Sequence, residues 1–156
     1  MNKLSSILSP DRILVDCAIT SKKRALELLS KLLTEDLEHD IDYQDLLAAF
    51  VKRENLGSTV IGKGIAIPHA RLAEISEAYA AIIKLYEPIT YDDQEEPVDL
   101  LIGIILPENN SELSLNVLKA FASKLKNPDC YNKIQASNDA HTLYQIFTQD
   151  DETITS

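Results

Sequence analysis

Apolar residues recur along this chain at two spacings, and the switches between them predict its elements. Leu4 to Leu8 reads as a helical turn ahead of Pro10, and Arg12 to Cys17, with the apolar run Ile13, Leu14, Val15, as a short strand. Ala25, Leu28, Leu29, Leu32 and Leu33 fall three and four apart, the stripe of a helix that packs on a sheet. Thr20 and Ser21 offer side-chain oxygens to its first amides. A second helix runs from an Asp42 cap through Leu46, Leu47, Phe50 and Val51 to Arg53, with Gly57 as its stop. Extended character returns in Ile65, Ala66, Ile67, where Pro68 biases the residue before it away from helix, and in Tyr79 to Leu85. Val98 to Leu106 is the most apolar run of the chain and predicts a central strand buried on both faces.

The last third reads as helical. Ser111 caps a helix through Leu115, Leu118, Ala122 and Leu125, Pro128 opens a shorter one through Ile134, and Asn138 caps a final one through Leu143, Ile146 and Phe147. Helices before, between and after strands predict an α/β fold. The expectation is a single domain over residues 1–148, a mixed β-sheet of about five strands flanked by α-helices, with a polar, frayed tail over 149–156.

Composition changes this picture little, and charge changes it more. A chain with 45% hydrophobic and 26% charged residues is an ordinary globule. A net charge of −10 works against attraction to phosphate backbones and so against general nucleic-acid binding. No run approaches the ~20 apolar residues of a membrane span, and MNKLSSILSPDR lacks a cleavage pattern, so the expected location is cytoplasmic without membrane insertion. Cys17 and Cys130 are isolated, without metal or dithiol spacing, and Cys17 reads as buried packing. The acidic stretch Glu35 to Asp42, with His39, reads as a solvated helix end and loop rather than a metal cluster, and His141 as a surface histidine.

The exception is Arg53 to Arg71, RENLGSTVIGKGIAIPHAR. Three of the four glycines, Gly57, Gly62 and Gly64, lie here, followed by the extended run, Pro68 and His69. In an acidic protein, residues 52–71 carry Lys52, Arg53, Lys63 and Arg71 against Glu54 alone. A neutral imidazole keeps one nitrogen lone pair and acts as a nucleophile, and cations with glycine-loop amides stabilise a transferring phosphoryl group. The pattern therefore points to a phosphohistidine site at His69. Arg53 reads equally as a site residue or as a cation at a helix C-terminus. The GxxxxGK spacing of Gly57 to Lys63 is no P-loop, because Gly64 stands where a magnesium-binding Ser or Thr belongs and a helix precedes the loop.

The run Arg53-Glu54, Gly57-Ser58-Thr59, Ile61-Gly62 and Gly64-Ile65-Ala66-Ile67-Pro68-His69 resembles the active-site motif of type-2 EIIA domains of the bacterial phosphotransferase system, the fructose/mannitol family. The likeness spans Leu4 to Phe147, and a chain without a fused carrier or transporter domain resembles the nitrogen-regulatory members. The resemblance implies His69 as phosphoacceptor at Nε2, Arg53 and Thr59 lining the site, and phosphate support from Gly62 and Gly64. It implies no metal or organic cofactor, and a phosphohistidine carrier of the HPr/NPr kind as donor. Regulatory targets, such as a sensor kinase or a potassium-transport component, would be the further partners. Ile65, Ile67, Ala70 and Leu72 are candidates for an apolar docking rim, although core packing explains the two isoleucines equally well. In one respect the sequence departs from the family, which carries a second histidine at the start of the helix after the long apolar strand. Here that position is Ser114, and no histidine lies between His69 and His141. Either Ser114 donates to the phosphoryl group in its place, or the chain is a binding module that has kept the fold without the chemistry. A third reading is the IIA step of sugar uptake.

Overall fold

In the computed structural model, which describes residues 3–35, 40–149 and 153–154, the two spacings become six strands between two sets of helices. The order is α1 (Leu4–Ile7), a 3₁₀ turn at Pro10–Arg12, β1 (Ile13–Cys17), α2 (Lys22–Glu35), α3 (Tyr43–Asn55), β2 (Val60–Gly62), β3 (Ile65–Ala66), β4 (His69–Leu72), β5 (Tyr79–Ile89), β6 (Val98–Pro107), α4 (Ser111–Lys126), α5 (Pro128–Ala136) and α6 (Ala140–Thr148). The sheet runs β1-β5-β6-β3-β2, with β4 also paired to β6. β5 and β6 are antiparallel, as are β2 and β3, while β1 lies parallel to β5, and β3 and β4 parallel to β6.

β6 is the central strand its run of apolar residues predicts. Alternate side chains enter opposite cores: Leu100, Ile102, Ile104 and Leu106 pack with α1, α4, α5 and α6, while Leu101 and Ile105 pack with α2 and α3. Gly103 lets α2 approach the sheet, since a Cβ there would sit 3.1 Å from Leu29 Cδ1. Among the described residues no helix is long and apolar enough to cross a membrane.

Six strands replace the expected five or so because β2, β3 and β4 are only two to four residues long, too short for alternation to show. β5 extends to Ile89, beyond the Tyr79 to Leu85 run that the sequence predicts. Two caps move one residue. Asn110 Oδ1, not Ser111, accepts from Leu113 N at 3.0 Å, and Asp139, not Asn138, accepts from Thr142 N at 2.9 Å. Asp42 caps α3 as expected, through Gln44 N at 3.0 Å. Val51 lies on the outward side of α3, exposed, and Cys17 is half-buried rather than sealed in the core. His39 lies outside the described residues, as do 150–152, 155 and 156 of the tail. Gln149 O accepts from Lys124 Nζ, and Ile154 packs partly on the α4–α6 core.

β3 and β4 run beside β6 as one broken strand, with Ile65 opposite Leu100 and His69 opposite Ile104. The break is at Ile67 and Pro68, where proline has no amide hydrogen to give, though its carbonyl accepts from Ile104 N at 3.0 Å.

Candidate functional site

His69 is the first residue of β4, tied into the sheet rather than carried on a loop. Strand alternation sends Ala70 into the α2/α3 core, which leaves His69 and Arg71 together on the opposite face. The ring is half-buried, with Nδ1 2.9 Å from the carbonyl of Ile67. A carbonyl can only accept, so Nδ1 holds the proton and the lone pair resides on Nε2. Burial lowers the ring's proton affinity below the usual histidine value. The Ile67 hydrogen bond opposes this, the charge of Arg53 adds to the lowering, Glu54 opposes it and Arg71 adds to it. A neutral imidazole with Nε2 unprotonated, flanked by two guanidinium groups, is a nucleophile set for an electrophile that brings negative charge.

Arg53 sits in the last turn of α3 and its Nη1 donates to Gly57 O at 2.9 Å. Arg53 is thus a cation at a helix C-terminus whose charge also acts on the ring. The other cations divide. Arg71 shares the face of His69, whereas Lys52 is exposed on α3 and Lys63 lies over the Tyr131 ring, 4.8 Å from its centroid.

Thr59 is brought to the same place but not to its surface. It is buried, its hydroxyl donates to Glu54 Oε2, its amide donates to Glu54 Oε1 at 3.4 Å, and its carbonyl accepts from Ile67 N at 3.0 Å. Glu54 is itself buried and pairs with Lys22 Nζ at 3.3 Å. Lys22 Nζ is 4.5 Å from the centroid of the Tyr91 ring. The Tyr91 hydroxyl, buried beside Glu54 and Thr59 without a well-formed hydrogen bond, is held strongly protonated by its burial and by the carboxylate. Glu54, Lys22 and Tyr91 were not singled out by the sequence pattern. Lys22 and Tyr91 come from distant segments, and the visible signal was the Arg-Glu pair itself, whose carboxylate follows a helix of apolar spacing into the core.

Gly62, Gly64 and Ser114 each have a part of their own in the fold. β2 and β3 form a hairpin whose two turn residues, Lys63 and Gly64, both have positive φ, 57° and 79°. This is the type I′ pattern that matches strand twist. Gly64 O accepts from Asp99 N and Leu100 N, four residues up β6 from the Ile104 that faces His69, which is roughly 13 Å at strand rise. Both glycines take positive φ at this turn, 97° at Gly62 and 79° at Gly64. Ser114 is 0% exposed, and its hydroxyl has Pro107 O at 3.3 Å and Asn110 O at 3.0 Å as acceptors, so its one proton is committed inside α4. The expected rim also changes, because Ile65, Ile67 and Ala70 are core residues and Leu72 is half-buried.

Comparison with known proteins places the chain in a family and matches its fold. The family model described as phosphoenolpyruvate-dependent sugar phosphotransferase system, EIIA 2, matches residues 6–150. A nitrogen regulatory protein of Pseudomonas aeruginosa is 38% identical over 147 residues, covering 94% of this chain and 95% of that one. One from Escherichia coli is 36% identical over 155 residues, covering 97% and 93%. The crystal structure of nitrogen regulatory protein IIA-Ntr from Neisseria meningitidis superposes with a TM-score of 0.85 at 32% identity, over 93% of this chain and 99% of that one. IIA mannitol from Escherichia coli shares the fold, with a TM-score of 0.74 at 15% identity over 89% and 97%.

Proposed function

From the premise that this chain belongs to the EIIA 2 family of the phosphoenolpyruvate-dependent phosphotransferase system, we propose that His69 Nε2 accepts a phosphoryl group from a phosphohistidine carrier protein of the HPr/NPr kind. The Nε2 lone pair attacks phosphorus, the N–P bond of the donor breaks, and its electron pair returns to the donor imidazole. No proton need move at His69, since Nδ1–H keeps its hydrogen bond to Ile67 O while the ring takes positive charge. Arg53 and Arg71 offset the charge of the incoming group, near −2. The phosphorylation state then selects regulatory partners in the cytoplasm, a nitrogen- or potassium-type control, with a sensor kinase or a potassium-transport component as targets.

The observation that carries this reading is the Nδ1 to Ile67 O contact of 2.9 Å on a half-buried ring, because it fixes the tautomer that nucleophilic attack requires. The test is incubation with phosphoenolpyruvate, Enzyme I and the carrier, followed by intact mass and peptide mapping. The expected result is one phosphate on His69. A chain that stays unmodified while a sibling EIIA protein reacts leaves only a docking module.

A further inference from the structure

Adjacent residues at the end of α3 tie down both ends of one short loop. Arg53 bonds Gly57 O, and Glu54 takes two hydrogens from Thr59, one from the hydroxyl and one from the amide. The Thr59 carbonyl accepts from Ile67 N at 3.0 Å, and the Ile67 carbonyl holds Nδ1–H of His69 at 2.9 Å. Lys22 stands at the other end of this chain, 3.3 Å from Glu54 Oε1. A continuous path of polar contacts thus runs from α2 to the imidazole, through a carboxylate that is almost wholly buried.

We propose that Glu54 is a positioning residue for phosphoryl transfer, acting through Thr59 and the Ile67 peptide group to fix the orientation and tautomer of His69. This rests on the function proposed above. Three features support it. A buried carboxylate is costly unless paired, and this one takes an ion pair from Lys22 and two hydrogens from Thr59, with the Tyr91 hydroxyl beside it, so its place in the fold is bound to the loop. The Thr59 hydroxyl is committed to Glu54, so Thr59 serves the site from behind. Finally, Ile67 is held on both sides, its N–H by the Thr59 carbonyl and its C=O by Nδ1–H, so the position of the loop sets where the ring's acceptor stands.

The test separates positioning from general stability. Glu54→Ala breaks the path at its carboxylate and Thr59→Val breaks its hydroxyl link, leaving only the 3.4 Å amide contact to Glu54, whereas Thr59→Ser keeps both donors. In the unphosphorylated protein, ¹⁵N NMR of the imidazole reads the tautomer directly. The parent and Thr59→Ser should show Nδ1–H with an unprotonated Nε2, and the two breaking variants a mixture. In single-turnover transfer from the phosphorylated carrier, both breaking variants should slow at least tenfold at saturating carrier, with half-saturation unchanged, and the double variant should be no slower than the worse single one. A folded Thr59→Val with the parent's ring spectrum and parent's rate overturns the proposal, and so do additive losses in the double variant. If Glu54→Ala does not fold, Glu54→Gln keeps the shape while removing the charge that Lys22 pairs, and the same two outcomes apply. A parent that never accepts phosphate defeats the proposed function instead, and the ring spectra still report whether Glu54 orients His69.

Discussion

Arg53 Nη1 donates to the Gly57 carbonyl at 2.9 Å while its charge acts on His69, so the guanidinium in the unphosphorylated protein is parked on backbone within electrostatic reach of the reacting ring. A dianionic phosphoryl group offers the guanidinium a bidentate, oppositely charged partner, which a neutral carbonyl does not. Arrival of phosphate should therefore draw Arg53 off Gly57 and leave that loop with one tether, through Glu54. Arg53→Ala should slow phosphoryl acceptance by about 10²-fold to 10³-fold, the usual effect of losing one donor to developing charge. Arg53→Lys should recover part of it, keeping the charge but not the planar fork. Rapid-quench transfer from the phosphorylated carrier measures this, and a rate within twofold of the parent would remove Arg53 from the site.

The lowered proton affinity of His69 makes a second prediction. Burial is its main cause, with Arg53 and Arg71 assisting against the Ile67 bond and Glu54. An NMR titration should place the ring's midpoint below ~6.5, the value of a free histidine, and Arg53→Ala should move it up. The sign for stability follows. Between the lowered folded value and ~6.5 the unfolded chain binds more protons, so this contribution is complete above ~6.5 and is lost as pH falls through the folded value. Urea unfolding of the parent and a His69→Asn variant between pH 7.5 and 5 should show a steeper loss in the parent. A midpoint at or above ~6.5 contradicts the burial of the ring.

The parts of this molecule that were legible in the sequence are those whose signal is local. The apolar run Val98 to Leu106 is the central strand, the stripe Ala25 to Leu33 is α2, and Pro68-His69 falls where the broken strand beside β6 resumes. The parts that were not legible depend on pairing. Whether Gly64 faces an anion or turns a hairpin is decided by β6, which places Leu100, not Ile104, beside it. Lys22 and Tyr91 meet Glu54 only because α2 and the end of β5 converge there, and no periodicity encodes that. Ser114 took the place of a family histidine by register alone, and register carries no information about which way a helical side chain faces.

Because the Ser114 hydroxyl serves Pro107 and Asn110 inside α4, its removal should act on stability and not on transfer. Ser114→Ala loses about 1 kcal/mol of hydrogen bonding and regains about half of it from alanine's helix preference, a shift of roughly 1–2 °C in Tm. Acceptance of phosphate should stay within about twofold. Ser114→His, which would restore the family residue, puts an imidazole at a position that is 0% exposed and should destabilise by about 1–3 kcal/mol. A Ser114→Ala variant that melts like the parent but loses transfer would return this hydroxyl to the phosphoryl group.

Gly64 offers the converse test at the far end of the same strand. Its φ of 79° suits glycine, and a Cβ there would lie 3.1 Å from Asp99 Oδ1 and 3.6 Å from Pro97 O. Gly64→Ala therefore combines left-handed strain of about 1–2 kcal/mol with a contact against a half-buried carboxylate. Gly62, with a φ of 97° and nothing within 4 Å of its added Cβ, carries strain alone. Thermal melts should thus rank parent, Gly62→Ala and Gly64→Ala in falling order. Phosphoryl acceptance per folded molecule should be unchanged in both, since the turn is roughly 13 Å along the sheet from His69. If instead Gly64→Ala abolishes transfer at a temperature where it is fully folded, the hairpin tip must reach the phosphate. The glycine motif would then serve the reaction directly, and not only by building the strand that carries His69.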